Sequence, residues 1–514
     1  MGVQLSKEKN SKPNKKTRKT IKMKLTKYLI VGLAASVLMG SSASAQTVIR
    51  LVGSTAYRVS VSTAIINQLG AGATAAYVGS GAASLSGLIG ASVAIYKNST
   101  GTEIVKTFWT GSASGVTDVV TDTFNASGEF LGNSTPTAAI PGETVPSSDE
   151  TDSTPPNLAM SDSFASSVAA SVATAPTFSA SVGGTTNGLA LANKINASTI
   201  TEAGQDGESV VGIVPFGWWA GYSTATSGIS NITQEAANTL LQNGYTPVSF
   251  LTGNASDSVN FAYLIGRNED SGTRIGALAE SQDGFGNPPI QWQLTFSNNQ
   301  TSDGSVQTGG AGSTVTFATE WPADSPLNTE PHINWNTTGH SGYISGGDVS
   351  NSLLATNPAS NSEIDPSFAL GENTGNSYFI GYLGWSDGYK ISAAAHPGTE
   401  LTYNGVTLSA HNIQTGVYTF YTYEHCYYVT SGSNAIGSAQ SLADGIADAV
   451  FNTYAPTDSA GNTATANFPT SGAGVDANED NLVSHDNAAP AGLLFDSSVL
   501  GIRGEEGAPQ GLNY

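Results

Sequence analysis

The sequence predicts a folded protein of the α/β class, for two reasons. From residue 47 onwards, apolar runs of strand length alternate with segments of helical periodicity. Hydrophobic residues make up 39% of the 514 residues, which is enough for extensive cores, so a wholly disordered chain is not expected. The length allows two or three domains.

The first half is predicted to repeat the order strand, small-residue turn, helix. In chain order the elements are a strand at Thr47–Val52, the turn Gly53–Arg58, a helix at Val59–Leu69, strands at Ile89–Tyr96 and Glu103–Trp109, a helix after the turn Thr110–Gly115, and a strand at Leu158–Ser163. Such a turn aims free backbone N–H groups at an anion. We expect a further helix capped by Ser161 or Asp162, and residues 125–157, with five Pro, are predicted to be a loop or insertion.

The second half is predicted to contain longer buried strands and a β-rich insertion. The predicted elements are strands at Ser209–Trp219, Phe261–Gly266, Tyr378–Trp385 and Gly416–Val429, and helices at Gln234–Asn243, Thr273–Ser281 and Ala439–Tyr454. The Gly/Thr/Asn-rich residues 282–345 contain strand-like pieces at Gln291–Phe296 and Ser313–Thr319. The strand Ser209–Trp219 is expected to cross between two lobes.

Residues 1–45 have the pattern of a signal peptide with a basic extension. A basic start at Met23, an apolar run over 28–39 and Ala43-Ser44-Ala45 predict cleavage after Ala45. The stretch before Met23 is either a long basic region of the signal or the product of a misplaced start codon at Met1. The apolar run is too short to span a bilayer comfortably, and no Cys lies near the cleavage site to indicate a lipoprotein. We expect a secreted protein, either periplasmic or extracellular.

Cleavage makes the chain strongly acidic. Removing residues 1–45 removes ten of the 19 Lys and Arg and one of the 40 Asp and Glu, so 9 basic and 39 acidic residues remain, with a formal net charge of −30. Nucleic acid and anionic membranes are therefore disfavoured as partners.

Two of the nine remaining basic residues lie in the stretch RNEDSGTRIGALAES, which begins at Arg267. Asp270 or Ser271 suits a helix N-cap, and the free amides that follow favour an anion. Hydroxyls of Ser271 and Thr273 and the guanidinium of Arg267 would complete a phosphate or sulfate site. The alternative is an ordinary capped helix with Arg267 paired to Glu269 or Asp270.

Arg267, Ser271, Gly272 and Thr273 have the spacing Arg-x-x-x-Ser-Gly-Thr. In this segment the chain resembles the periplasmic phosphate-binding protein of ABC transporters, which has a two-lobed, type II periplasmic-binding-protein fold. The resemblance continues, less specifically, through GSTAY, TGSASG, LAMSDS, GYLGW and LTYNGVTLSAHNIQTGVYTF.

The resemblance implies a set of ligand-binding residues. These are Ser54, Thr55 and Ala56 in the first turn, Ser112 (with Ser114 as its rival) in the second, Asp162, and Arg267, Ser271, Gly272 and Thr273. Asp162 would accept a proton from the ligand, and the acid at Glu269 would orient the guanidinium of Arg267. Arg58 and Arg274 are not standard contacts of the family; they either add charge to the site or pair with its acids.

The resemblance also implies an architecture and partners. Lobe 1 would comprise 46–205 and 412–514, and lobe 2 would comprise 206–411 with the insertion 282–345. The ligand would be phosphate or a related oxyanion, the partner a membrane ABC permease, and the protein a monomer without a cofactor or catalytic activity. The chain departs from the family in its length and its two large insertions.

Two other classes of function stay open from the sequence. The same fold could serve as a structural or adhesive extracellular protein with a vestigial cleft, which the low content of charged residues and the length favour. A hydrolase would need a nucleophile or metal site, and no such site can be located. The acidic run from Asp476 resembles a calcium loop but lacks Gly at its sixth position and Glu at its twelfth, so an ordinary loop is preferred. Trp218-Trp219 and Cys426 are expected in the core.

Overall fold

A computed structural model gives the fold. It describes residues 46–124, 128–173, 178–180, 184–186, 188–203, 211–222, 227–285, 289–296, 313–321, 342–343, 345–356, 375–392, 397–409, 412–413 and 416–453. The predicted signal peptide and the acidic run from Asp476 lie outside the described residues, so both stay predictions. Within the described part, no helix has the length and apolar character needed to span a bilayer.

The helices in this part of the chain are α1 Arg58–Leu69, α2 Leu85–Gly90, α3 Ser112–Thr121, α4 Ala165–Ala173, α5 Gly188–Ala197, α6 Gln234–Asn243, α7 Ser249–Thr252, α8 Gly272–Glu280, α9 Gly346–Leu353, α10 Trp385–Ser392 and α11 Gln440–Thr453. The strands are β1 Thr47–Gly53, β2 Thr74–Val78, β3 Val93–Lys97, β4 Glu103–Phe108, β5 Phe130–Leu131, β6 Ala138–Ala139, β7 Glu143–Val145, β8 Glu150–Asp152, β9 Leu158–Ser161, β10 Phe178–Ala180, β11 Gly184–Thr186, β12 Ile200–Glu202, β13 Gly212–Ala220, β14 Asn231–Ile232, β15 Tyr245–Pro247, β16 Phe261–Ile265, β17 Trp292–Phe296, β18 Val315–Glu320, β19 Ser377–Gly384, β20 Thr399–Tyr403 and β21 Tyr421–Val429.

Most of these strands form one mixed sheet. Its main path runs β15-β16-β19-β13-β21-β9-β1-β4-β3-β2-β6. Strand β1 is parallel to both β4 and β9, and β16 is parallel to β19. Parallel strands of this kind are connected by helices, which is why apolar runs alternate with helical segments in the sequence. The predicted α/β class is confirmed.

Two long antiparallel strands, β13 and β21, lie in the middle of the sheet, between β15-β16-β19 on one side and β9-β1-β4-β3-β2-β6 on the other. Strand β13 pairs with β21 from Gly212↔Glu424 to Pro215↔Tyr421. Both strands are buried along their whole length. The described residues from Gln46 onwards belong to one compact unit, and the lobe boundaries 46–205, 206–411 and 412–514 stay predictions.

Several predicted elements need correction. Residues 89–90 end helix α2 instead of starting a strand. Trp385 starts helix α10 instead of ending the strand before it. Helix α4 begins at Ala165, three residues after the proposed cap Asp162. Residues 125–157, predicted to be a loop or insertion, contain the short strands β5 to β8, and β6 and β7 pair with β2. Proline and acid content signalled an insertion there but carried no information on strand pairing.

Other predictions hold. Helix α6 has the predicted bounds, and the strand-like pieces in the second insertion form the antiparallel pair β17–β18. Trp218, Trp219 and Cys426 are fully buried, as expected for core residues.

A buried ion pair ties the first insertion to the sheet. Asp152 accepts hydrogen bonds from Arg50 Nε at 2.9 Å and from the fully buried Lys106 Nζ at 2.5 Å. Burial alone would raise the pKa of Asp152, but hydrogen bonds, led by that from Lys106, outweigh it and lower the pKa to about 2. The carboxylate therefore stabilises the fold above its unfolded pKa, and this contribution is lost as pH falls towards 2.

Asp152→Asn is expected to lower the free energy of unfolding by about 2 kcal/mol at pH 7, because it leaves the Lys106 ammonium buried without its carboxylate. The difference from wild type should shrink as the pH is lowered from 4 towards 2, because the wild-type carboxyl is increasingly protonated over this range. Urea unfolding at several pH values measures it. Asp149→Asn, in the same insertion and outside any ion pair described here, is the control. An equal loss in both variants would contradict a specific role for the ion pair.

Candidate anion-binding site

Four segments of the chain converge at the sheet ends: the turn after β1, the start of α3, the end of β9 and the start of α8. Hydrogen bonds between main-chain groups fix them together. The Gly111 amide donates to the Gly53 carbonyl at 2.9 Å, and the Ala113 amide donates to the Asp270 carbonyl at 3.0 Å. The Ser54 amide donates to the carbonyl of Met160 at 2.9 Å. The sequence-predicted turns and helix starts are thus brought to one place.

Ser112 and Asp162 form the centre of this convergence. The Ser112 hydroxyl donates to Asp162 Oδ1, and the Asp162 amide donates back to Ser112 Oγ at 3.2 Å. Both side chains are buried. Burial raises the pKa of Asp162, while the hydrogen bond from Ser112 and the charge of Arg267 oppose that rise.

The first residue of α8, Gly272, packs closely against the Asp162 carboxylate. A Cβ atom on Gly272 would overlap Asp162 Oδ1 and lie 2.8 Å from Ser112 Oγ. Ser271 is the N-cap, as predicted, and its hydroxyl accepts from the Arg274 amide at 3.4 Å. In the described part of the chain, no hydrogen bond is made by the amides of Gly272 or Thr273. These two amides carry the positive end of the helix dipole.

Arg267 is buried beside the same group. Its Nε donates to the Tyr343 carbonyl at 3.2 Å. Burial lowers the pKa of Arg267, and the nearby charges of Asp387 and Asp162 raise it. Arg267 therefore provides a fixed positive charge next to the predicted proton acceptor.

The second arginine of this stretch has a different environment. Burial lowers the pKa of Arg274, and Tyr382, Glu269 and Asp270 oppose that lowering. Glu269 and Asp270 thus act electrostatically on Arg274, while the orienting role of Glu269 towards Arg267 stays a prediction.

The first turn and the rival serine complete the predicted set. Ser54 is buried, whereas Thr55 and Ala56 are half-buried. Ser114 lies in the first turn of α3, two residues beyond Ser112, and its buried hydroxyl has no hydrogen-bond partner among the described residues. The hydroxyl of Ser112 is used by Asp162, so Ser114 remains a candidate donor.

Sequence reasoning missed two acidic residues at this place. Asp387, on α10, faces Arg267 and also Arg58, and its Oδ2 lies against Gly346 at the start of α9. The Ser-x-x-Asp pattern, in which Ser345 Oγ accepts from the Asp348 amide, could have signalled α9, the helix against which Asp387 lies. Glu424 is the second missed residue, a lone carboxyl inside the buried aromatic strand β21. Among the described residues, no group of His, Cys, Asp and Glu could hold a metal ion.

No protein-family model and no curated protein sequence matches the chain. Solved structures do match. An ABC-type phosphate transport receptor from Vibrio cholerae is 9% identical over 78% of this chain and 93% of its own, with a TM-score of 0.31. A possible phosphate-binding protein from Planctomyces limnophilus is 9% identical over 79% and 87%, with a TM-score of 0.31. PstS from Borrelia burgdorferi is 11% identical over 78% and 92%, with a TM-score of 0.28.

These are proteins of the class that the Arg-x-x-x-Ser-Gly-Thr segment resembles. At these TM-scores and identities the likeness concerns the fold alone.

Proposed function

We propose that the chain is a secreted solute-binding protein that captures phosphate, or a related oxyanion, for uptake through an ABC permease. The observation that supports this most is the contact of Asp162 with both Ser112 and Gly272, with Arg267 within electrostatic reach. Hydroxyl and amide donors, a guanidinium and a single acceptor carboxylate are the groups that hold a partly protonated oxyanion.

The proposed chemistry is binding without a reaction. Amides at the start of α8 and hydroxyls such as Ser114 would donate to the oxygens of the ligand, and Arg267 would balance its charge. Asp162 would accept the proton that phosphate retains at neutral pH. Sulfate has no such proton, so it would leave a buried carboxylate facing an oxyanion without a hydrogen bond. The net charge of −30 acts over a distance of only about 8–10 Å in physiological salt, so it affects the rate of capture more than the closed site.

Calorimetric titration of ligand-stripped residues 46–514 with phosphate and with sulfate tests this function. We expect phosphate to bind and sulfate to bind at least about 100-fold more weakly, the difference expected for a buried charged hydrogen bond. Failure of the pure, folded protein to bind either anion would refute the proposal and favour an adhesive or structural role on the same fold.

Asp162→Asn is expected to reduce this selectivity. The amide nitrogen can donate to a fully ionised oxyanion, and the uncharged amide oxygen accepts the ligand's proton more weakly than a carboxylate does, so phosphate binding should weaken about 10- to 100-fold while sulfate binding becomes stronger. The ratio of the two dissociation constants is the measurement. Asp122→Asn, at the opposite end of α3, is the control and should leave the ratio unchanged. An unaltered ratio in Asp162→Asn would mean that another group selects the anion.

A further inference from the structure

Glu424 lies in the middle of β21, fully buried, and neither of its carboxyl oxygens has a hydrogen-bond partner in the described part of the chain. Its electrostatic neighbours are Asp162 and the hydroxyl of Ser54, which acts on the carboxyl as a hydrogen-bond donor although the two groups do not reach full hydrogen-bond geometry. The Ser54 hydroxyl is also buried without a hydrogen-bond partner among the described residues. Two residues of the predicted anion site thus face a carboxyl group to which no role has been assigned.

An ionised carboxylate is costly in such a place. Removing its charge from water costs several kcal/mol unless a cation or several donors compensate, and the neighbouring Asp162 repels it. Burial, followed by Asp162, raises the pKa of Glu424 well above its usual value, and Ser54 only partly opposes this. The positive charge of Arg267 acts on Asp162 and Asp387. These surroundings favour the neutral form of Glu424, whose O–H group would then need an acceptor.

We propose that Glu424 is a further binding and specificity residue of the oxyanion site, donating its carboxylic proton as a hydrogen bond to the ligand while Asp162 accepts one from it. This inference rests on the proposed function. It specifies the ligand class as a singly protonated tetrahedral oxyanion, since such an ion offers both an O–H group to Asp162 and a charged oxygen to Glu424. No proton is transferred in this arrangement.

Two substitutions separate a donor from a residue that only fills space. Glu424→Gln keeps the shape and a hydrogen-bond donor without charge, and phosphate affinity at pH 7 should stay within about threefold of wild type. Glu424→Leu removes the donor, and the affinity for phosphate should fall about 10- to 100-fold. Both are measured by calorimetric titration of residues 46–514 with inorganic phosphate, alongside thermal melting to establish that each variant is folded.

Infrared difference spectroscopy gives a readout that packing alone would not change. Adding phosphate to wild type should shift the C=O stretching band of a protonated carboxylic acid, and Glu424→Gln should lack this band. If Glu424→Leu does not fold, the spectrum and the Gln variant still decide the question.

Three results would overturn the proposal. Wild-type affinity in folded Glu424→Leu would show that the side chain only fills space, and a tenfold gain in Glu424→Gln would show that the wild-type carboxyl is ionised. Absence of the infrared band in a phosphate-binding wild type would exclude the neutral donor. In each case the proposed function survives, whereas a wild type that binds no phosphate refutes both.

Discussion

Replacing Gly272 with Ala should abolish phosphate binding while the protein still folds. The new Cβ would overlap Asp162 Oδ1, which is the end of a side chain and can rotate away, whereas the nearby backbone need not move. Rotation of that carboxyl would break its hydrogen bond with Ser112 and remove the proton acceptor from the start of α8. Affinity should fall at least about 1000-fold, as expected when several coupled charged hydrogen bonds are lost together.

Gly347→Ala is the matched control for this substitution. It also adds a methyl group in the first turn of a helix, but its Cβ would meet only Ser345 Oγ, at 3.5 Å. Phosphate titration and thermal melting of both variants are the measurements.

A double-mutant cycle with Asp162→Ala tests the mechanism. In the Asp162→Ala background, Gly272→Ala should weaken phosphate binding little further, because the carboxylate that it displaces is already absent. Full additivity of the two losses in binding free energy would contradict displacement of Asp162.

Arg267→Gln should weaken phosphate binding by about 1000-fold, or about 4 kcal/mol, because its buried guanidinium is the positive charge that acts most strongly on Asp162. Arg274→Gln is the control, since Arg274 is the same residue type, equally buried and in the same segment, but is supported by Glu269 and Asp270. We expect Arg274→Gln to lower thermal stability more than affinity.

Titration with phosphate and thermal melting distinguish the two arginines. A similar loss of affinity in Arg267→Gln and Arg274→Gln, with both proteins folded, would mean that the total positive charge matters and that Arg267 has no special place.

Local sequence signals were sufficient for part of this site. Ser271 followed by Gly and Thr marks a helix start, and the small-residue turn before Ser112 marks another, so both elements could be predicted within a few residues. Asp162 and Gly272 are 110 positions apart in sequence, however, and their contact follows from strand order, which no local pattern encodes. The resemblance to a family suggested that these residues meet; their chemistry alone did not.

There are also physical reasons why the sequence alone did not point to Asp387 and Glu424. Helix α9 begins with Gly-Gly and helix α10 directly follows a buried strand, so the starts of both helices are hard to recognise in the sequence, and no local pattern connects Asp387 with Arg267. Glu424 stands in a strand that is buried on both faces, where the alternation that would show its direction is missing. A lone acid in such a run was still a signal, because an unpaired carboxyl is rarely buried without a purpose.

The position of β21 has a consequence for biosynthesis. This strand lies between β13 and β9 in the sheet, yet about 200 residues separate it from β13 and about 260 from β9. Until residue 429 has left the ribosome, β9 and β13 each lack this neighbour and expose edges that can pair with other chains. The sheet is therefore completed late, through contacts of high sequence separation that form slowly. Late completion of the sheet would suit export of the chain in an unfolded state, which is what the predicted signal peptide implies.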